Sequence, residues 1–135
     1  MLLGIDYGEK YFGIAISDEN EKFAIPINPI EKSKDIIEQI KKLVDEYKPN
    51  KIIMGLPISL KGEKGKLAQK IIEFSNILSS KLNIKVELYD ERFSTKYSEK
   101  TLISIGMKRE KRKKINNSIS AAIILDDYIK RNEKN

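Results

Sequence analysis

Leu2-Leu3-Gly4-Ile5-Asp6-Tyr7-Gly8 is a short apolar run that ends at a carboxylate and breaks at a glycine turn. Phe12-Gly13-Ile14-Ala15-Ile16-Ser17 follows as a second apolar run. Lys22-Phe23-Ala24-Ile25 reads as a third strand, reached through the turn signal Asp18-Glu19-Asn20. Tight connections of this kind join antiparallel neighbours, because parallel strands need a long crossover. Pro26 and Pro29 are expected to interrupt regular structure after the third strand.

Further along the chain the period changes. From Ser33, a good N-cap, Ile36, Ile37, Ile40, Leu43, Val44 and Tyr47 recur at helical spacing, and Pro49 closes the segment. Lys51-Ile52-Ile53-Met54 is a short buried strand ended by Gly55-Leu56-Pro57. Leu67, Ile71, Phe74 and Leu78 mark a second amphipathic helix, preceded by a Gly62-Glu63-Lys64-Gly65 loop. Ile84 to Tyr89 alternates as a strand and ends at Asp90-Glu91-Arg92. Ser94 or Thr95 can cap a third helix through Leu102 and Ile105, and a last helix runs from about Asn117 to Ile129. The order β-β-β-α-β-α-β-α-α predicts an α/β fold. One mixed five-stranded sheet, with three antiparallel N-terminal strands and two further parallel strands, is flanked by helices. Ligands in such sheets gather at the carboxyl ends of strands, where Asp6, Gly55 and Asp90-Glu91 are expected.

The 135 residues suit a single domain over 1–135, ending in a polar tail from about 130. With 40% hydrophobic and 34% charged residues the chain reads as globular. It has no His and no Cys, which excludes imidazole acid–base chemistry, thiol nucleophiles and thiolate zinc sites. Chemistry is left to carboxylates, hydroxyls, Lys and Arg, and a metal held by oxygen. No run of about 18 apolar residues occurs and Met1 to Ile5 lacks a basic leader, so a cytoplasmic protein without a membrane partner is expected.

The net charge of +6 is concentrated. Lys108, Arg109, Lys111, Arg112, Lys113 and Lys114, against Glu110 alone, carry +5 of it, leaving 20 basic and 19 acidic residues elsewhere. Such a stretch is either a solvated loop or a contact for a polyanion.

Asp6 alone reads equally as an Asp that satisfies the amides of its own turn. Glu91 alone reads as one half of a surface pair with Arg92. Together they are two strand-end carboxylates in a chain without His or Cys, and that pattern suits a hard cation.

In order and spacing, Gly4-Ile5-Asp6-Tyr7-Gly8, Gly13 to Asp18, Gly55-Leu56-Pro57 with Gly62 and Gly65, and Asp90-Glu91-Arg92-Phe93-Ser94-Thr95 resemble the YqgF/RuvX family. Lys114-Ile115 and Ser120-Ala121-Ala122-Ile123-Ile124-Leu125 extend the resemblance almost to the C-terminus. It implies an RNase H-like fold and a nuclease. The family is described as a Holliday-junction resolvase, and its bacterial members are implicated in processing the 5′ end of pre-16S rRNA. By resemblance, Asp6 and Glu91 are metal-binding carboxylates for Mg²⁺ or Mn²⁺. Two positions depart from the pattern. Asn117 stands where the family usually has a third carboxylate, and Tyr11 stands where it usually has Arg after Lys10. An amide supplies an oxygen without charge, so metal affinity should fall; Asn117 also reads as an N-cap, and the two roles are compatible. Asp90 or the substrate's own phosphates are candidates to complete the site.

The resulting expectation is a metal-dependent endonuclease in ribosome biogenesis, with Asp6, Glu91 and Asn117 as catalytic and metal-binding residues. Lys10, Arg92, Ser94, Thr95 and the Lys108–Lys114 stretch are candidate phosphate contacts, and Tyr7, Tyr11 and Phe93 are candidates for stacking on bases. The partners would be structured RNA, pre-16S rRNA above all, and ribosomal particles. Branched DNA is the rival substrate, and a nucleic-acid-binding protein with a degraded active site is the rival class. A one-lobed fragment of an actin-like ATPase is a third reading, set aside because ATP needs two lobes.

Overall fold

A computed structural model describes residues 1–57, 62–90, 108 and 115–133. Five strands, β1 (Leu2–Asp6), β2 (Tyr11–Ser17), β3 (Ala24–Glu31), β4 (Lys51–Leu56) and β5 (Lys85–Asp90), form one sheet in the order β3-β2-β1-β4-β5. β1 pairs antiparallel with β2, and β2 with β3, while β4 lies parallel to β1 and β5 parallel to β4. The mixed sheet expected from the turn and crossover lengths is therefore present. β1 is central, and the strand order reverses beside it, which makes the carboxyl ends of β1 and β4 a switch point.

The described helices are α1 (Ile36–Tyr47), α2 (Gly62–Leu82) and α3 (Ile119–Glu133), the last preceded by a 3-10 turn over Asn116–Ser118. The pleat of the strands divides the core in two. Leu3, Ile5, Ile14, Ile52 and Met54 face α1 and α2, joining Ile36, Ile40, Ile71 and Leu78. Leu2, Ala15, Ala24 and Ile53 face α3, joining Ala121, Ala122, Leu125 and Tyr128. Each fully buried Leu or Ile stabilises the fold by about 1.5–3 kcal/mol. α3 lies close on β1 because Gly4 has no side chain; a Cβ there would stand 3.0 Å from that of Leu125.

Polar ties fix the outer half of α3. Asp126 is buried and accepts the N–H of Ala24 at 3.3 Å, while Lys130 donates to its other oxygen at 2.6 Å. Tyr89 of β5 donates its hydroxyl to Asp127 at 2.6 Å, and Arg131 lies 3.4 Å from the same carboxylate. Burial, followed by the hydrogen bond to Asp127 and its charge, pushes the Tyr89 phenol up to about 12. The helix carries on through Lys130 to Glu133, so the polar end of the chain is helical that far.

Several local readings are corrected. β3 runs through both prolines, with Pro26 opposite Ala15. It can do so because it is an edge strand, where a missing N–H is tolerated. Asp35, not Ser33, occupies the N-cap of α1, and it makes no side-chain cap bond. Ser33 instead donates its hydroxyl to the Asp35 carboxylate and lends its carbonyl to the N–H of Ile36 at 3.2 Å. α2 begins at Gly62, so Gly62–Gly65 is its first turn and not a loop. The N–H groups of a first turn have no partner within the helix, so the start is the least costly place for glycine. The helix expected after Ser94 or Thr95 lies outside the described residues.

Candidate functional site

Asp6 closes β1 at the carboxyl edge of the sheet. Leu2 and Gly4 lie on the α3 side, so the same pleat presents Asp6 on that side. Its antiparallel partner is Gly13. A Cβ on Gly13 would stand 2.5 Å from the backbone oxygen of Asn117 and 3.2 Å from the Cα of Ser118. The bare backbone of Gly13 is therefore what admits the 116–118 turn, and it brings Asn117 alongside the strand end that carries Asp6. Ser118, fully buried, secures the contact by accepting the N–H of Ile14 at 3.0 Å. The β2–β3 register shifts between Phe12 and Ile14, where that bond is made.

Asp6 is half-buried, whereas Asn116 and Asn117 are exposed. Asn117 is not the N-cap expected from its residue type. It sits inside the 3-10 turn, which follows Ile115 and runs directly into α3. The contact of its backbone with Gly13 holds it there, leaving the amide side chain to solvent.

The remaining candidates divide by what is described. Glu91, Arg92, Ser94, Thr95, Arg109, Lys111, Arg112, Lys113 and Lys114 lie outside the described residues. Lys108 is exposed. Lys10 is exposed in the β1–β2 turn, where its carbonyl accepts the N–H of Lys32 at 2.8 Å. Asp90 ends β5 opposite Leu56. Val86 and Leu88 pack toward α1 and α2 while Tyr89 meets Tyr128 on the α3 side, so the pleat turns Asp90 away from the face that Asp6 uses. That placement argues against Asp90 as the completing ligand. Among the described residues no three acidic side chains come together.

The Tyr7 ring packs against Phe12 at 4.7 Å and Phe74 at 5.6 Å between centroids, so the core engages part of a ring that is only partly buried. Tyr11 is 42% exposed; Phe93 lies outside the described residues.

The side chains that the sequence proposes as donors at this end, the Asp6 carboxylate and the Asn117 amide, both offer oxygen. Such a set fits a hard divalent cation better than a soft one. Gly13 and Ser118 were not singled out as site residues by the sequence. Glycine within an otherwise bulky strand is a signal of close backbone approach and marks Gly13. Ser118 carries no such signal, because its partner is 104 residues away along the chain.

Comparisons with known proteins bear on the same geometry. A family model described as RuvX, Holliday junction resolvase, matches residues 1–131. A relative from Dictyoglomus thermophilum, named "Putative pre-16S rRNA nuclease", is 38% identical over 130 residues, covering 95% of this chain and 94% of its own. A relative of the same name from Clostridium botulinum is 35% identical, with 95% of both chains covered. Among solved structures, Thermus thermophilus RuvC in complex with a Holliday junction substrate superposes with a TM-score of 0.63 at 13% identity, over 98% of this chain and 95% of that one. The fowlpox virus Holliday junction resolvase gives 0.54 at 18% identity, over 96% and 98%. At such identities the likeness speaks for the fold alone, a RuvC-like mixed sheet flanked by helices. The family model and the relatives together show that this chain belongs to the RuvX family.

Proposed function

We propose that this chain is a divalent-metal-dependent endonuclease that cleaves structured RNA, with the 5′ end of pre-16S rRNA as its substrate, working in the cytoplasm on ribosomal precursor particles. A nuclease, an enzyme that hydrolyses phosphodiesters, is what the family and the curated relatives support. The observation that carries the reading is the pairing of Asp6 with Gly13, which seats the Asn117 turn beside a strand-end carboxylate at the switch point of the sheet.

In this reading Asp6, Asn117 and Glu91 hold Mg²⁺ or Mn²⁺. Glu91 follows directly on the last residue of β5 and joins the set through the family resemblance. When bound, a divalent cation supplies charge neutralisation at the phosphate and lowers the pKa of a water. The chain's own work is positional. Asp6, on a central strand with a neighbour on each side, is held in place by its pairing with Gly13, and Asn117 is held by the Gly13 contact and the Ser118–Ile14 bond. Lys10, Arg92, Ser94 and Thr95 are the groups proposed to orient the phosphates around the scissile bond. With no His in the chain, the carboxylates and water must carry the protons.

A cleavage assay on a precursor RNA with Mg²⁺ or Mn²⁺, on the wild type and on Asn117→Asp, tests the reading. Restoring a carboxylate is expected to tighten metal binding and raise the rate; equal metal affinity and rate would remove position 117 from the site. The family's description favours a second substrate, branched DNA, so a four-way junction belongs in the same assay. Tight binding without metal-stimulated cleavage of either would favour a degraded site, for which Asn117 is the structural support.

A further inference from the structure

The geometry points to a second nucleic-acid subsite on the opposite side of the sheet edge from Asp6, a lysine-lined cleft that holds the phosphate backbone next to the scissile position. The inference rests on the nuclease reading above and extends it to three lysines that neither the family pattern nor the basic stretch marks.

The cleft has a volume of about 410 Å³ and is lined by Tyr7, Gly8, Glu9, Lys32, Lys66 and Lys70. Two consecutive residues divide it from the candidate metal site. The pleat of β1 sends Asp6 to the α3 side, whereas the Tyr7 ring packs with Phe12 and Phe74 on the α1 and α2 side. A strand of nucleic acid laid across the carboxyl edge would therefore place one phosphate at Asp6 and its neighbours in the cleft.

The charge of the cleft suits that occupant. Three lysines and one acidic residue, Glu9, line the cleft. Lys66 and Lys70 stand one turn apart on α2 and so share a face. Lys32 is held by the cleft wall, with its ammonium 3.1 Å from the Tyr7 hydroxyl and 4.7 Å from the centroid of the Tyr7 ring. Among the described residues none of the three lysines forms an ion pair, although Lys51 and Lys130 do. Three cations set against the single Glu9 carboxylate leave the cleft with a surplus of positive charge; a phosphate strand offsets that charge and gains further by releasing its own counter-ions. Contacts of this kind fix position along the strand and do not read its sequence.

The test measures binding of a precursor RNA and of a four-way DNA junction in EDTA across a salt series, for wild type and for Lys32→Gln/Lys66→Gln/Lys70→Gln. The slope of log K against log salt should shrink by about 2–3 in the variant, at ~0.7 per lost phosphate contact on single strands and ~0.9 on duplex DNA. Lys66→Gln/Lys70→Gln, which leaves the Lys32–Tyr7 contact intact, should show about two-thirds of that change. The charge-matched Lys41→Gln/Lys42→Gln/Lys81→Gln should leave the slope within about 0.5 of wild type. An unchanged slope in both cleft variants, or an equal fall in the control, overturns the subsite. Metal-dependent cleavage by the wild type alongside an unchanged slope would sink the subsite alone. A changed slope without any cleavage would sink the nuclease reading and leave the cleft as a binding surface.

Discussion

At Gly13 and Ser118 the candidate site depends on single atoms. Gly13 contributes by having no Cβ, since a methyl group there would meet the Asn117 carbonyl at 2.5 Å and force the turn off the sheet. Ser118 contributes one oxygen to a buried N–H. Ser118→Ala leaves that N–H without its partner in a place water does not reach, so thermal or urea unfolding should show a loss of about 1–3 kcal/mol. Because the same bond holds the Asn117 turn, metal-stimulated cleavage should fall further than that loss of stability explains. Ser118→Thr, which keeps the hydroxyl, should recover part of both. A variant as stable as wild type would mean that the Ile14 N–H finds another acceptor.

The strands and helices show which local signals survive assembly. Continuous apolar runs marked β1, β2 and β4, and alternation marked β5, each within a residue or two, because each has one face on either half of the core. Proline misled at β3, where position at the sheet edge removed its usual cost. α3 is held by ties that no local pattern reveals, notably the hydroxyl of Tyr89 on Asp127. That phenol is raised from 10.0 to about 12 by burial first and Asp127 second. The neutral form is thus favoured more in the folded than in the unfolded chain. Its contribution to stability should be full below about pH 10 and be lost as the pH rises toward about 12. An absorbance titration of the phenolates should show a late-titrating group that is missing in Tyr89→Phe. Denaturant unfolding of that variant should depend less steeply on pH in the same window. A Tyr89 that titrates with the exposed tyrosines would show that the tie to Asp127 does not persist in solution.

Across the whole molecule, charge and topology meet at one edge of the sheet. β1, β4 and β5 are parallel, so their carboxyl ends open on the same side, and the strand order reverses beside β1. Asp6, the Asn117 turn and the lysine cleft all border that edge. The sequence places +5 of the net +6 in the Lys108–Lys114 stretch just ahead of the same turn. If this stretch holds substrate, Lys111→Gln/Lys113→Gln/Lys114→Gln should flatten the salt dependence of nucleic-acid binding by about 2 log units per log unit of salt, at ~0.7 per contact. A slope equal to wild type would remove the stretch from the interface and leave the cleft lysines to account for binding.

What the sequence determined by itself was the chemistry and the outline. The lack of His and Cys restricted the site to oxygen ligands, turn and crossover lengths dictated a mixed sheet, and residues 2–8 put a carboxylate at the end of its central strand. Those inferences hold because composition and period are local properties. The tertiary structure alone decided which groups meet. Gly13 lies beside Asp6 through strand pairing and beside Asn117 through helix packing, across more than a hundred residues of chain. Asp90 and Asp6 end parallel strands on either side of β4 yet face opposite sides, because the pleat turns each successive side chain over and only the strand register sets the phase.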